Sequence, residues 1–375
     1  MSSENMRLIS ADDHVDVTHE DVKRHLASQY HGDYDDAVGR FGALMASTMS
    51  SEANQQWSDQ AGVEMDPEAG RIGGSGYPSF GRDGYRDAKA RLQDLDQDGV
   101  HASVLYSEVS AFRYLYMLER GASDATRAFN TMLLEFASED PSRLIVSGQI
   151  PIHDVDAAVQ EVEWFAKAGG KSLQLPLFPP ELGLPDYWDR RYDALWAKIE
   201  EVDLPVCCHI GLNTQLEALA KRDPTPQKGV LVLGTALSTS EALGMFILGG
   251  VFERFPGLRL VFVEPGIGWV PWWLEMADDL VLRQNYAFPA IKQLPSHYFH
   301  KNVHLTFIDE PFAYENAKRS LGVENVMWSS DYPHPVSSWP TSQSTFDRMF
   351  AGIPTEDAEL IGFRNAERVW RLDSA

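Results

Sequence analysis

The chain has 375 residues, of which 44% are hydrophobic and 23% are charged, a composition that is ordinary for a soluble globular protein. Its formal net charge of −23 argues against nucleic acid or an anionic membrane as a partner, because both require a basic surface. The first residues show no basic segment followed by an apolar one, and no run of about 18 apolar residues exists, so the sequence predicts a cytoplasmic protein that does not span a membrane.

The first predicted strand, residues 7–12, is followed by a long connection. This segment, residues 17–82, is rich in Asp, Ser, Gly and Met, and its part from Gly70 to Gly84 has the glycine and proline content of a loop. A connection of this length inside a compact domain is typically a functional lid or an inserted subdomain. We expect a lid, with a partly ordered surface excursion as the alternative.

From residue 83 onward, helices and strands alternate regularly. Helical segments are predicted at 83–98, 122–137, 155–168, 188–202, 213–252, 270–285, 312–321, 341–350 and 358–370. Further strands are predicted at 102–107, 144–151, 172–176, 206–210, 258–264, 303–307 and 326–330. Strands separated by helix-length segments indicate a parallel sheet, and eight strands favour a closed (β/α)8 TIM barrel, an α/β fold. The whole chain, residues 1–375, is therefore predicted to be one domain.

Two cysteines, Cys207 and Cys208, are neighbours in the fifth predicted strand. Adjacent side chains on a strand point to opposite faces, so these two are not expected to form a disulfide with each other. A reducing compartment fits this cysteine usage.

Metal-type ligands stand at the ends of four predicted strands. Asp12 and His14 have the i, i+2 spacing that places both side chains on one face of the first strand. His209, Glu264 and Asp331 stand at the ends of strands five, six and eight. Taken singly, each has an ordinary reading as a structural histidine or a turn acid. Because all strands of such a barrel finish on one face, the five side chains are expected to converge there. Buried carboxylates need a counter-charge, and this donor set suits zinc, manganese or iron, so we predict a divalent metal site.

Five further residues are candidates for a substrate pocket at the same end of the barrel. Glu108 and Arg113 follow the second strand, and Arg113 could clamp a substrate carboxylate or form a surface ion pair. Thr306 and Asp309 lie near the end of the seventh strand. Trp269, which follows Glu264, has the spacing of a packed helical residue, or it could line an apolar pocket.

These motifs also resemble those of a known family. The runs Asp12-x-His14, Pro205-Val-x-x-His-x-Gly211, Glu264-Pro-Gly-Ile-Gly-Trp269 and Trp328-Ser-Ser-Asp-Tyr-Pro-His334 look like the amidohydrolase superfamily. Within it, the chain resembles the amidohydrolase-related family that includes aminocarboxymuconate-semialdehyde and γ-resorcylate decarboxylases. This resemblance implies a (β/α)8 barrel in which Asp12, His14, His209 and Asp331 bind one zinc or manganese ion.

One position departs from the pattern of those decarboxylases, which carry a proton-handling histidine where this chain has Glu264. Glu264 could act as a general base, or it could bind a second metal together with His334 and Asp16. A mixed histidine and carboxylate centre of this kind resembles a small oxygenase branch of the superfamily, which includes hydroxylases of α-aminoisobutyrate and of platensimycin-type diterpenoids.

Three hypotheses follow from that departure. We narrowly prefer a monooxygenase with two irons, or iron and manganese, that hydroxylates an apolar C–H position, because three acids around one ion would leave net negative charge in a buried site. The alternative is a mononuclear zinc or manganese hydrolase or non-oxidative decarboxylase with Glu264 as general base. The third is a non-catalytic barrel that pairs with another subunit. In both enzyme hypotheses the expected catalytic residues are Glu264, Asp331 and His209, and the expected substrate is a small molecule. We also expect the chain to form a homodimer or to pair with a related barrel.

Overall fold

The strands form one parallel sheet. The computed structural model describes residues 6–48, 59–60, 62, 81–107, 111–211, 213–225 and 228–372. Eight strands are hydrogen-bonded in the order in which they occur in the chain. Their bounds are β1 Leu8–Val15, β2 Val100–Ser107, β3 Leu144–Gln149, β4 Ser172–Gln174, β5 Val206–His209, β6 Leu260–Val263, β7 Val303–Phe307 and β8 Val326–Trp328. The predicted eight-stranded parallel α/β barrel is confirmed.

Helices follow the strands around the outside. In chain order the described α-helices are α1 His19–His25, α2 His31–Thr48, α3 Ala88–Asp98, α4 Ala122–Ala137, α5 Val155–Lys167, α6 Asp193–Val202, α7 Thr214–Arg222, α8 Gly229–Leu248, α9 Val251–Arg254, α10 Val270–Arg283, α11 Pro295–Asn302, α12 Ala313–Asn316, α13 Ser342–Met349, α14 Thr355–Glu359 and α15 Asn365–Trp370. Several begin with a side-chain cap: Asp154, for example, accepts a hydrogen bond from the Ala157 amide at the start of α5. Such caps satisfy amide groups that the first helical turn leaves unpaired.

The barrel is completed where its last strand meets its first. The Asp331 amide donates to the Asp12 carbonyl oxygen at 2.9 Å, and the His14 amide donates to the Tyr332 carbonyl oxygen at 2.7 Å. These bonds join β1 to the residues that follow β8. The contact between the two ends of the chain thus lies at the carboxyl ends of the strands, where the candidate ligands are.

Hydrophobic side chains cover both faces of the sheet. One fills the inside of the barrel and includes Ile9, Val104, Ile145, Cys207, Val261 and Met327, with Trp370 of α15 beneath it. The other lies between the sheet and the helices and includes Cys208. The adjacent cysteines therefore point to opposite sides of β5 as predicted, and both are free thiols.

Some predicted element bounds were too long. Strand β6 ends at Val263 rather than at residue 264, because Glu264 has a φ of 62° and has left the extended region. The predicted final helix 358–370 is divided into α14, a π-helical turn at Leu360–Arg364, and α15. Both departures come from local backbone conformations that hydrophobic periodicity does not reveal.

The predicted lid lies only partly within the described residues. Its first part forms α1 and α2, and α1 packs against α4 on the outside of the barrel. Of residues 49–80, only 59–60 and 62 are described. A lid at 17–82 and a single domain over 1–375 therefore stay predictions.

One helical stretch, Gly229–Arg254, is long and apolar enough to cross a membrane by length and composition alone, with a mean hydropathy of 1.6. The core helix of a soluble protein passes the same test, so a single stretch of this kind is weak evidence for a membrane span.

Candidate metal centre

Six ionisable side chains meet at the carboxyl ends of the strands. Three overlapping groups each have ligand atoms within 4.8 Å of one another: Asp12 with His14 and His209, His14 with Asp331 and His334, and Asp12 with Glu264 and Asp331. Four of the six, Asp12, His14, His209 and Asp331, are almost fully buried. The structure thus brings together the ligands that the sequence placed on four different strands.

A β-bulge turns both ligands of β1 toward this centre. Ser10 of β1 pairs with Ser103 of β2, but the next pair joins Asp13 to Leu105, so β1 advances by one extra residue. Ala11 and His14 are three residues apart, so in a regular strand their side chains would point to opposite faces. Ala11 packs inside the barrel, and the bulge allows His14 to point to the same side. The i, i+2 spacing alone did not predict this irregularity.

Two of the carboxylates come from residues in an uncommon backbone conformation. Glu264 has a φ of 62° and Asp331 a φ of 56°, values in the left-handed region that non-glycine residues seldom adopt. The Glu264 turn is fixed by a hydrogen bond of 2.8 Å from its amide to Thr306 Oγ1. Gly266, with a φ of 63°, completes this turn, and a Cβ there would lie 2.8 Å from Glu310 Oε1. Strained residues of this kind cluster at functional sites.

The charges in the centre act strongly on one another. His14 Nε2 lies 3.2 Å from Asp331 Oδ1 and 3.8 Å from Asp12 Oδ1. His209 Nε2 lies 3.4 Å from Asp12 Oδ1 and 3.7 Å from Glu264 Oε2. Burial alone would lower the pKa of His209, but the carboxylates of Asp12 and Glu264 and the Ile210 carbonyl together outweigh it, and the pKa is raised to about 9.

The pKa values of Glu264 and Asp331, the two acids with left-handed backbone conformations, are shifted in opposite directions. Burial, followed by the negative charge of Asp331, raises the pKa of Glu264 well above its usual value. Burial would also raise the pKa of Asp331, but His334 and His14 outweigh it and lower that pKa to about 2. The raised pKa of Glu264 weakens the argument that three ionised acids require a second metal.

The donor atoms suit a divalent cation. Both carboxylate oxygens of Asp12 and Asp331, both ring nitrogens of His14, and Nε2 of His209 are buried without a regular hydrogen-bond partner. Buried polar groups without partners are costly, and a cation at the centre of the cluster would satisfy them together. Imidazole and carboxylate ligands suit zinc, manganese or iron.

His334 and Asp16, the two ligands proposed for a second metal, have different surroundings. His334 stacks on the His14 ring at a centroid distance of 3.9 Å, and its Nδ1 lies 3.1 Å from Asp331 Oδ1. Asp16 Oδ2 instead accepts a hydrogen bond of 2.8 Å from Arg86 Nε and belongs to none of the three ligand groups. The structure thus places His334 beside the centre and pairs Asp16 with an arginine.

A buried ion pair behind the ligands was not foreseen. Asp13 faces away from the centre and accepts hydrogen bonds from Ser10 Oγ at 2.8 Å, Ser330 Oγ at 2.6 Å and the Tyr332 amide at 3.0 Å. Arg91 of α3 lies 3.7 Å from Asp13 Oδ2, and it also donates to the His14 carbonyl oxygen. This network ties β1, the residues that follow β8, and α3 together beside His14 and Asp331. The second acidic side chain in the run Asp12-Asp13-His14 was the sequence signal for it.

A cavity of about 320 Å³ opens onto Glu264. Its wall is mainly apolar, and three of the residues come from one face of α8, namely Val232, Leu233 and Ala236. Asp309 and Glu310 lie at its acidic side. The sequence suggested Asp309 for this pocket but did not suggest α8.

The other pocket candidates have specific contacts elsewhere. Trp269 donates from Nε1 to the Pro265 carbonyl oxygen at 3.0 Å and packs against the outer core. Arg113 Nη1 lies 2.9 Å from Glu217 Oε1 in a partly buried ion pair, so its guanidinium already has an acid partner. Thr306 holds the Glu264 turn rather than the cavity wall. Glu108 lies outside the described residues.

Comparison with known proteins places the chain among enzymes. A family model described as "Amidohydrolase" matches residues 118–372. The γ-resorcylate decarboxylase of Rhizobium sp. (strain MTP-10005) is 24% identical over 309 residues, which cover 76% of this chain and 87% of that protein.

Solved structures agree on the fold. The 5-carboxyvanillate decarboxylase of Sphingomonas paucimobilis superimposes with a TM-score of 0.72 and 21% identity, covering 98% of this chain and 100% of that one. The 5-carboxyvanillate decarboxylase of Novosphingobium aromaticivorans, solved with bound manganese and 3-methoxy-4-hydroxy-5-nitrobenzoic acid, gives a TM-score of 0.68 and 17% identity, covering 99% of each chain.

These comparisons overturn one expectation. The preferred hypothesis of a two-iron or iron–manganese monooxygenase is wrong, because the named relatives are decarboxylases and not oxygenases. That hypothesis rested on counting Glu264 as a third ionised acid beside a single metal ion. The alternative hypothesis included a non-oxidative decarboxylase, and it agrees with these relatives.

Proposed function

Because this chain belongs to the amidohydrolase family, we propose that it is a non-oxidative decarboxylase that uses one divalent metal ion and releases CO2 from a small aromatic carboxylic acid. The relatives are named for γ-resorcylate and for 2-amino-3-carboxymuconate-6-semialdehyde, and several structural neighbours for 5-carboxyvanillate. The observation that carries the proposal is the position of Glu264, which contacts the ligand cluster on one side and lines the cavity on the other.

Asp12, His14, His209 and Asp331 are the residues that would hold the metal. The structures with bound manganese support manganese as the ion, and zinc suits the same ligands. Bound there, a divalent ion supplies Lewis-acid stabilisation for a carboxylate or phenolate oxygen of the substrate. His334, through its contact with Asp331, orients that carboxylate from outside the ligand set.

Glu264 is the proton donor in this proposal. Its carboxyl group gives a proton to the ring carbon that carries the substrate carboxylate, since no other acid of the cluster also lines the described cavity. The carbon–carbon bond to the carboxylate then breaks, its electron pair returns to the ring, and CO2 leaves. Glu264 recovers a proton from water. The sum of these steps consumes one proton and no oxygen.

Isotope incorporation tests this proposal. Protein loaded with manganese is incubated in D2O with a panel of hydroxybenzoates that includes 2,6-dihydroxybenzoate, and the products are analysed by mass spectrometry. We expect one deuterium per product molecule at the carbon that lost the carboxylate. Chelator-treated protein is the control. No decarboxylated product from any member of a broad panel would count against the proposal.

Assembly and location are also proposals. We infer that two copies of the chain associate, or that the chain pairs with a related barrel. The support is an exposed apolar stripe on α10. Trp272 and Met276 lie one helical turn apart in this stripe, and their exposed fractions are 66% and 51%. Two free, buried thiols support a cytoplasmic location. Sedimentation of the wild type and of Trp272→Lys tests the association, since a monomeric wild type rejects it.

A further inference from the structure

Helix α8 places apolar side chains in an exposed position beside the metal centre. Leu233 is 75% exposed and Val232 is 56% exposed, although both are aliphatic. Together with Ala236 they form what we call the α8 face, which lines the cavity that reaches Glu264. Large aliphatic side chains left open at a catalytic cavity are a natural contact for an apolar part of a ligand.

The opposite side of the cavity is acidic. Glu310 Oε1 accepts a hydrogen bond of 2.7 Å from the Ile267 amide, which holds its carboxyl group beside the Glu264 turn. Asp309 Oδ2 lies 2.6 Å from Arg348 Nη2, and Arg348 is 63% exposed at its side chain and not part of the cavity wall. Among the described residues that line this cavity there is no lysine, arginine or histidine.

This distribution of charge bears on which substrates can bind. The metal centre provides for one carboxylate, and the cavity beyond it offers carboxyl groups and aliphatic carbon. A second anionic group on the substrate would meet no lysine, arginine or histidine among the described residues of this wall and would face the carboxyl groups of Asp309 and Glu310, which is unfavourable. An alkyl group in the same position would be removed from water against the α8 face.

We propose that the α8 face selects the substrate: the natural ligand is an aromatic acid with a single negative charge that carries an apolar substituent, and a second anionic group is rejected. This inference deepens the proposed function and rests on it only for the placement of the reacting carboxylate. Val232, Leu233 and Ala236 determine specificity and take no part in the proton transfer.

Binding of ligands that do not react tests the inference separately from turnover. The probes are 3-butylbenzoate and 3-(2-carboxyethyl)benzoate, which have similar length, share one ring carboxylate, and differ in the end of the side chain. Their dissociation constants for manganese-loaded protein are measured by titration calorimetry. We expect the butyl compound to bind about tenfold more tightly, or more, because its terminal methylene and methyl groups leave water.

Charge placed in the cavity should reverse the preference. Leu233→Arg should bind the dicarboxylate more tightly than the butyl compound, and Leu233→Met should retain the wild-type order. The matched control is Leu237→Arg, which adds the same charge to the same helix at a residue that is 56% exposed and does not line the cavity. Thermal unfolding verifies that each variant is folded.

The outcomes separate the two proposals. Equal binding of both probes to the wild type, tighter binding of the dicarboxylate, or the same reversal in Leu237→Arg would overturn the role of the α8 face even if the protein decarboxylates other acids. The expected binding pattern in a protein that releases no CO2 would support the α8 face and reject the proposed reaction.

Discussion

Glu264 and Asp331 follow different strands of the barrel, yet both adopt left-handed backbone conformations, and their carboxylate oxygens lie within 4.8 Å of each other and of Asp12. The two turns direct these side chains over the end of the barrel instead of along their strands. Like charges at this distance cannot all be ionised cheaply without a cation. The pair therefore connects backbone geometry to the chemistry that we propose.

Replacing Glu264 by Gln should slow turnover strongly while leaving metal content unchanged. The amide preserves size but cannot donate a proton, and removal of a general acid costs about 10²–10⁴ in rate. Metal content is measured by mass spectrometry and turnover by product formation. Asp16→Asn is the matched control, because Asp16 is near the same strand ends but pairs with Arg86. If Glu264→Gln loses its metal, Glu264 is a ligand and the assigned role is wrong.

Replacing a proposed ligand should remove the metal itself. His209→Ala deletes an imidazole whose Nε2 faces Asp12 and has no regular hydrogen-bond partner. We expect metal content to fall below a tenth of the wild-type value, and the thermal midpoint of the wild type to fall when a chelator is added, because the ion binds the folded state only. His297→Ala, at an exposed histidine, is the control. Full metal content in His209→Ala would show that the ion is bound elsewhere.

The Asp13–Arg91 pair should contribute strongly to stability. Arg91→Met leaves the Asp13 carboxylate buried without its cation, and breaking a fully buried pair in this way costs about 3–5 kcal/mol. Urea unfolding measures the loss. The double variant Asp13→Asn with Arg91→Met removes both charges and should recover part of it. Equal stability of the wild type and Arg91→Met would contradict this account of the network.

His304 should make stability depend on pH. Burial lowers the pKa of His304 from its usual 6.5 to about 3 in the folded chain. The unfolded chain therefore binds a proton more readily, so the stabilisation is complete above the unfolded pKa and is lost as the pH falls toward the folded one. The loss is about 1.4 kcal/mol per pH unit within that window.

Comparing His304→Leu with the wild type by urea unfolding at about pH 7 and about pH 5 isolates this contribution. The variant should show a smaller decrease in unfolding free energy between the two pH values. His297→Leu, at an exposed position, should behave as the wild type does. An unchanged decrease in His304→Leu would mean that His304 does not titrate as described.

The sequence predicted the strands because each is a short apolar run between helix-length segments. It predicted the convergence of Asp12, His14, His209, Glu264 and Asp331 because parallel strands of a barrel end on one face. It did not predict the β1 bulge or the positive φ of Glu264, since neither changes residue periodicity. The α8 face was missed because exposed aliphatic residues on a helix are indistinguishable in sequence from packed ones.

The reaction class was misjudged for a related reason. A count of acidic residues carries no information about which of them are ionised, and burial beside Asp331 raises the pKa of Glu264. The ionisation of side chains in such a cluster depends on the distances between residues from separate strands. The amino-acid sequence does not give these distances.

The most direct measurement of the central claim records CO2 and O2 together in a sealed vessel that contains manganese-loaded protein and a panel of hydroxybenzoates. We predict that CO2 is released in equal amount to the decarboxylated phenol, at the same rate with and without oxygen, and that no oxygen is consumed. Product formation that requires oxygen, or that consumes one O2 for each substrate molecule, would contradict the account.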